Sequence, residues 1–392
     1  MNYIGIDEAV LKSKGGYDAA FEIERQPRLW CEIIDAVMSN KDRVEKFLSE
    51  LKKEQNLKVL LVGAGSSGLA ANVVKGHIAK KTGLDVACVN STKLILDPTA
   101  YLQQDRPTLM VSFGSSGSTP EGVESLRLAK SIVKNLYQIL ILCVDDGILV
   151  KNNEGDEKTL FIPLPKETKG KSFAATAEFT CLVLQALLIF DLENIALYKD
   201  YFGSVRTEAK DFFAQKIEKV IDLANEETIL ISSLGSNEME YLAKETALKA
   251  VEFSDGRYLS NYNTSLEFRH GPKLITSSKI ITLFYINSDK YVAQYDIDML
   301  KEICRDTNNS VTVAFGHCDK EQLGCSPEYY FQFGRHELLE KVPTTALFMY
   351  ALAMHSLISH ISLKLGVEID WPNTKGLVPK VADKVTIYRK EI

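Results

Sequence analysis

The residues of this chain best suited to proton transfer lie between Lys244 and Lys273. Glu245, Lys249 and Glu252 stand at i, i+4 and i+7, so at about 100° per helical residue they share an arc of roughly 60°. Met239, Leu242, Ala243, Ala247, Leu248 and Val251 recur at helical spacing, and no Gly or Pro interrupts before Gly256. The pattern predicts a helix over Glu238–Phe253, with the charges set into an apolar surface between Leu242 and Leu248. The same spacing also describes an ordinary solvent-face ion pair, so the helix alone assigns no chemistry. Beyond a turn near Ser254–Gly256, the run Glu267-Phe-Arg-His270-Gly271-Pro272 leaves a histidine on a loop or element end, because Gly-Pro stops a helix. A partly buried carboxylate can take a proton from one carbon and return it to the next. An imidazole can act on a neighbouring oxygen near neutral pH.

Two earlier loops carry a different chemistry. Lys58–Val62 is a short apolar strand followed by Gly63-Ala-Gly65-Ser66-Ser67-Gly68 and a helix. Thr108–Val111 is another, followed by Ser112-Phe-Gly-Ser115-Ser116-Gly117-Ser118-Thr119-Pro120-Glu121. In the second loop Thr119 suits an N-cap, Pro120 the first helical position and Glu121 the first turn. Helix starts present outward N–H groups and partial positive charge, so two hydroxyl-rich loops at the carboxyl ends of adjacent parallel strands form an anion cradle. The first loop also matches the dinucleotide fingerprint GxGxxG. That fingerprint wants an acid at the end of the next strand, and Val86–Val89 ends in Asn90, which weakens the nicotinamide reading.

The elements that must position these groups form an internal repeat. Strands at Lys58–Val62, Val86–Val89, Thr108–Val111, Gln138–Val144 and Leu160–Leu164 alternate with helices. A helix from Pro27 to about Lys53 comes before them, and a buried helix over Ser172–Phe190, with Thr176 near its start, closes this half. The pattern restarts with the strand Thr228–Ser233, the turn Leu234-Gly235-Ser236-Asn237, the Glu238–Phe253 helix and strands at Ile280–Tyr285 and Ser310–Ala314. The second copy has Asn287-Ser288-Asp289 where the first has its serine-glycine loop, so one half is expected to hold phosphate and the other to move protons. A helix from Pro343 to about Leu365 and a strand Val385–Tyr388 end the chain. The expected segments are 1–54 (helical), 55–200 and 205–375 (the two α/β domains) and a tail at 376–392.

Composition sets outer limits. The 392 residues are 45% hydrophobic and 25% charged, with a net charge of −6 and no Lys/Arg run, which argues against a nucleic-acid surface. The run Phe179–Phe190 falls short of the roughly 20 residues a membrane span needs. The seven cysteines form no CxxC pair, and no signal peptide is recognisable, which fits a reducing cytoplasm. His317 and Cys318 lack metal-type spacing, and His355 and His360, among Leu, Ile and Met, read as core-edge residues. No metal and no cofactor is expected, and neither nucleic acid nor membrane is an expected partner.

Glu245-Thr-Ala-Leu-Lys249-Ala-Val-Glu252 followed by Glu267-Phe-Arg-His270-Gly-Pro resembles the catalytic segment of the sugar isomerase (SIS) family, in particular the isomerase domain of glucosamine-6-phosphate synthases. Gln26-Pro27…Trp30, the 111–121 loop and Ser172-Phe-Ala-Ala-Thr176…Phe179-Thr180 are similar to the tagatose-6-phosphate ketose/aldose isomerase and galactosamine-6-phosphate deaminase group. The resemblance covers about residues 25–388. It implies two tandem flavodoxin-like, three-layer αβα domains with parallel sheets, and a sugar-phosphate substrate. It assigns phosphate binding to Ser67, Ser115, Ser116 and Thr119, with Ser66 and Ser118 in the same loops. Gly65, Thr176, Gly235 and Ser236 would line the substrate. Glu252 would shuttle a proton between C1 and C2, His270 would assist ring opening, and Glu245 and Lys249 would orient and polarise. In the family the histidine comes from a neighbouring subunit, which implies a homodimer or a dimer of dimers. The implied reaction is deamination and isomerisation of a hexosamine 6-phosphate, galactosamine 6-phosphate favoured. Plain aldose–ketose isomerisation, sugar-amine phosphate deglycation and a silent sugar-phosphate-binding regulator are the alternatives. The group usually has Arg-Ser-Gly-Asn where this chain has Ser115-Ser116-Gly117-Ser118, and Lys375 and Lys384 both lie near the place of the synthases' C-terminal catalytic lysine without aligning with it.

Overall fold

A computed structural model describes residues 1–306, 308–381 and 384–389. It contains two five-stranded sheets, each wholly parallel. The first comprises β1 (Lys58–Gly63), β2 (Asp85–Asn90), β3 (Thr108–Gly114), β4 (Leu136–Leu142) and β5 (Thr159–Phe161), in the spatial order β2-β1-β3-β4-β5. The second comprises β6 (Leu230–Gly235), β7 (Leu259–Asn263), β8 (Ile281–Tyr285), β9 (Val311–Gly316) and β10 (Tyr329–Gln332), in the order β7-β6-β8-β9-β10. Both orders reduce to 2-1-3-4-5, the flavodoxin-like winding, so the repeat expected from sequence is a repeat of topology. β1, β3 and β4 read as continuous apolar runs because helices cover both faces of such a sheet.

Cα proximity divides the chain into two compact units. One holds the first sheet: Leu29–Lys169, Ala177–Tyr198 and the tail from Gly376. Its core joins Leu60, Val62, Met110 and Leu140 to Leu126, Ala129 and Val133. With the helix Tyr17–Ser39 as α1, helices α2 (Gly65–Thr82) and α3 (Pro120–Ile132) follow β1 and β3, and α4 (Ala177–Phe190) is buried along its whole length. The other unit holds the second sheet together with Met1–Arg28 and Gly170–Thr176. Its core includes Leu234, Phe268, Phe284, Met299 and Leu300. The helices that matter there are α5 (Glu238–Phe253), α6 (Lys290–Arg305) and α7 (Leu347–Lys364). The stretch Pro343–Lys364 is long and apolar enough to cross a membrane, but its most apolar 18 residues are all buried inside the fold.

Several boundaries depart from the sequence reading. The helix expected to open at Pro27 begins at Tyr17 and runs to Ser39 with Pro27 inside it, and a separate helix covers Lys41–Leu51. Its start is fixed from far along the chain, because the Asp370 carboxylate accepts the N–H groups of Asp18 (3.1 Å) and Ala19 (2.7 Å). Residues 172–176 are irregular, and α4 starts only at Ala177. Strand β7 replaces part of the polar passage after α5, and β10 had no clear sequence signal. The expected strand at Val385–Tyr388 finds no ladder partner and does not form; Tyr388 is exposed.

Candidate active site

The two serine-glycine loops leave the carboxyl ends of neighbouring strands, since β1 pairs with β3 in parallel. They flank the point where the winding of the sheet reverses, the usual ligand crevice of an open α/β sheet. Helix α2 starts at Gly65 after Ala64, an N-cap residue whose side chain cannot cap it. Thr119 takes the N-cap position of α3 with Pro120 next to it, yet its hydroxyl makes no cap bond, unlike the sequence expectation. Neither N-cap side chain occupies the start of its helix, which suits an anion site. Ser66, Ser67, Ser115, Ser116, Ser118 and Thr119 are all half-buried. Ser116 Oγ accepts from the N–H of Ser118 at 3.2 Å, and Ser118 Oγ accepts from the N–H of Ile148 at 3.1 Å. Ser118 thus shapes the loop rather than presenting a spare hydroxyl.

Close approach of helix to strand recurs in both copies. A Cβ on Gly63 would lie 2.8 Å from the Ser67 backbone, and one on Gly235 would lie 2.5 Å from the Met239 carbonyl oxygen. Only glycine lets the following helix pack so tightly on the strand end. Past the glycine the two copies diverge. In the second copy Ser236 Oγ donates to the Asp296 carboxylate at 2.5 Å, Ser265 Oγ does so at 2.6 Å, and the N–H of Asn287 does so at 3.0 Å. Asp296 is buried on α6, so the donors from the turn after β6 and from the loop after β8 converge on an internal carboxylate. The second crevice supplies its own anion, and the Ser236 hydroxyl is engaged with it. Burial pushes the Asp296 carboxyl up against the pull of these three donors. Sequence reasoning passed over Asp296; an acid on the inner face of an amphipathic helix was the available signal.

Helix α5 forms as expected, with two of its charges set into the fold more deeply than Leu248 and Val251. Val251 is 42% exposed and Leu248 only half-buried, whereas Glu245, Thr246 and Lys249 are fully buried. Lys249 Nζ lies 2.6 Å from Glu252 Oε2 and 3.3 Å from Glu245 Oε1. The side chains of Lys249 and Glu245 are 0% exposed, and that of Glu252 is 27% exposed. Burial opposes the Lys249 charge, but the two carboxylates outweigh it and hold the ammonium above the usual lysine range. The arrangement is a buried cation locked to an inner carboxylate, with one outer carboxylate still open to a ligand. Beside it, His355 on α7 is fully buried, and neither ring nitrogen has a hydrogen-bond partner among the described residues. Burial, then the Lys249 charge, pushes the His355 imidazole down to about 3, so it stands neutral. His360 contacts the Ile4 carbonyl oxygen through Nε2 at 2.8 Å.

His270 ends a single 3₁₀ turn, Glu267–His270, and Gly271 follows with φ +122°. The histidine is exposed, while Arg269 next to it is tied to Glu302 at 2.8 Å and to Asp298 at 2.9 Å. The same segment exposes Val251, Leu259, Tyr262, Leu266 and Leu274. Lys375 and Lys384 are both exposed. Thr176 is buried just ahead of α4, and its hydroxyl has no partner among the described residues.

No family model matches the chain. Among curated proteins, the D-galactosamine-6-phosphate deaminase AgaS of Escherichia coli is 29% identical over 372 residues, 94% of each chain. A Streptomyces coelicolor AgaS protein, provisionally given the same activity, is 32% identical over 292 residues, 72% of this chain and 73% of its own. Among solved structures, a protein of Clostridium novyi provisionally named a tagatose-6-phosphate ketose/aldose isomerase superposes with a TM-score of 0.94 at 29% identity over all of both chains.

Proposed function

Since this chain belongs to the AgaS family of tandem sugar isomerase (SIS) domain proteins and is an enzyme of the phosphosugar isomerase/deaminase type, we propose that it converts a hexosamine 6-phosphate, galactosamine 6-phosphate foremost, into the ketose 6-phosphate and ammonia. The observation that carries this reading is the Glu245–Lys249–Glu252 triad, in which only Glu252 remains open to solvent. Glu252 takes the proton from C2 of the open-chain amino sugar and returns it to C1. The intermediate enolamine becomes a C2 ketimine, and water replaces the nitrogen to give the ketose and ammonia. Lys249 and Glu245 hold Glu252 in place, and His270 assists ring opening at the ring oxygen or O1. Ser67, Ser115, Ser116 and Thr119, with the starts of α2 and α3, hold the phosphate.

The exposed His270 and the apolar side chains around it in sequence support a homodimer in which the histidine serves the partner's site. A cytoplasmic location accords with seven free thiols. The test is a panel of hexose and hexosamine 6-phosphates scored for both ammonia and ketose. Equal yields of both from galactosamine 6-phosphate are expected. Ketose from aldose phosphates without ammonia would replace the proposal with plain isomerisation, and binding without turnover would replace it with a regulator.

A further inference from the structure

The segment Gly170–Thr176 carries little regular structure of its own, and a buried carboxylate organises it. Glu22, on the helix Tyr17–Ser39, is 1% exposed. One carboxylate oxygen accepts the N–H of Lys171 and, at 3.1 Å, the N–H of Ser172. The other accepts the Ser172 hydroxyl. A side chain at position 170 would meet the same carboxylate, so glycine leaves the room that the carboxylate occupies. The next residue is held from the other side: the Phe173 N–H donates to the Asp370 carbonyl oxygen at 2.8 Å, and its ring meets Trp371 edge-on at 5.6 Å. Burial pushes the Asp370 carboxyl up, against the pull of the two helix N–H groups it caps.

These bonds fix an irregular segment just ahead of α4. The N–H groups of Lys171, Ser172 and Phe173 are tied to Glu22 and to the Asp370 carbonyl, which holds the segment in place. The segment ends at Thr176, whose buried hydroxyl lacks a partner among the described residues. A buried hydroxyl without a partner costs free energy, which a ligand group can offset. We infer that Glu22 is a positioning residue for substrate binding, fixing the 170–176 segment so that Thr176 is set for the sugar phosphate. This inference rests on the function proposed above, but the ordering of the segment by Glu22 does not.

The experiment is a double-mutant cycle in the full-length protein with Glu22→Gln and Thr176→Val, read by kinetics on galactosamine 6-phosphate and by amide hydrogen exchange over 170–176. Glu22→Gln should raise KM about tenfold with kcat changed less than about twofold, because the loss falls on binding and not on the proton-transfer step. Exchange at the Lys171 and Ser172 amides should rise about tenfold or more. In the Thr176→Val background, Glu22→Gln should add little further to KM, since both changes remove one unit of positioning. Fully additive effects, or unchanged exchange at Lys171 and Ser172, would overturn the inference. So would a lower melting temperature with KM unmoved. Should Glu22→Gln fail to fold, Ser172→Ala removes the hydroxyl contact and is judged by the same readouts. Wild-type protein inactive on every sugar phosphate would sink the functional proposal, while exchange would still decide whether Glu22 orders the segment.

Discussion

Replacing Lys249 by Met tests whether the triad on α5 is a buried electrostatic unit. The side chain keeps its length, but Glu245 loses its cation while remaining 0% exposed. Glu252 is 27% exposed and can hydrate instead. Breaking a buried pair by removing one partner costs about 3–5 kcal/mol. At about 2–4 °C per kcal/mol for a unit of this size, the melting transition should fall by about 6–20 °C at pH 8. The pH dependence has a definite sign. An unpaired, desolvated Glu245 has a folded pKa above its unfolded value, so its penalty is absent at low pH and grows as pH rises through that interval. The wild-type Lys249, held above the usual lysine range, contributes stability that is lost only at higher alkaline pH. Scanning calorimetry at pH 5 and pH 8 should therefore show a smaller deficit at pH 5. The double variant Glu245→Gln/Lys249→Met should recover most of the loss, because no buried charge is then left alone. A deficit below about 2 °C at both pH values, or a double variant no better than the single, would refute the buried-unit reasoning.

Three further outcomes are expected. Ser67→Ala or Ser116→Ala should raise KM for the phosphorylated sugar by about 10- to 100-fold, the worth of one charge-assisted hydrogen bond, with little effect on unphosphorylated sugar; equal losses on both would count against the cradle. Glu252→Gln should lower kcat by about 100-fold or more. Mixed with His270→Ala chains under verified subunit exchange, it should regain about a quarter of wild-type activity by random pairing if the histidine acts across a dimer, and no recovery would place His270 in its own site. For Asp296, whose folded pKa is raised, the wild-type contribution is full at low pH and lost as pH rises through the folded value, so Asp296→Asn should gain in melting temperature relative to wild type from pH 4 to pH 8; a flat difference would show the carboxylate to be fully offset by its three donors.

The sequence by itself determined the class of fold, because apolar strands followed by glycine turns and amphipathic helices, repeated twice, admit few architectures besides a pair of parallel α/β sheets. It also determined that Glu245, Lys249 and Glu252 share a helical face, since that comes from spacing alone. It could not determine which face of α5 is buried. Leu248 and Val251 have the greater transfer free energy, yet the chain buries the charges, because Lys249 brings its own two carboxylates and so avoids the penalty of a lone ion. Nor could it place Asp296 against Ser236 and Ser265, groups separated by 60 and 31 residues, or start a helix at Tyr17 through a carboxylate 352 residues away. Those pairings arise only when distant segments are folded against one another. Local sequence sets the period and the punctuation of each element, and long-range hydrogen bonds to buried carboxylates decide where the elements begin and which crevice stays open to a ligand.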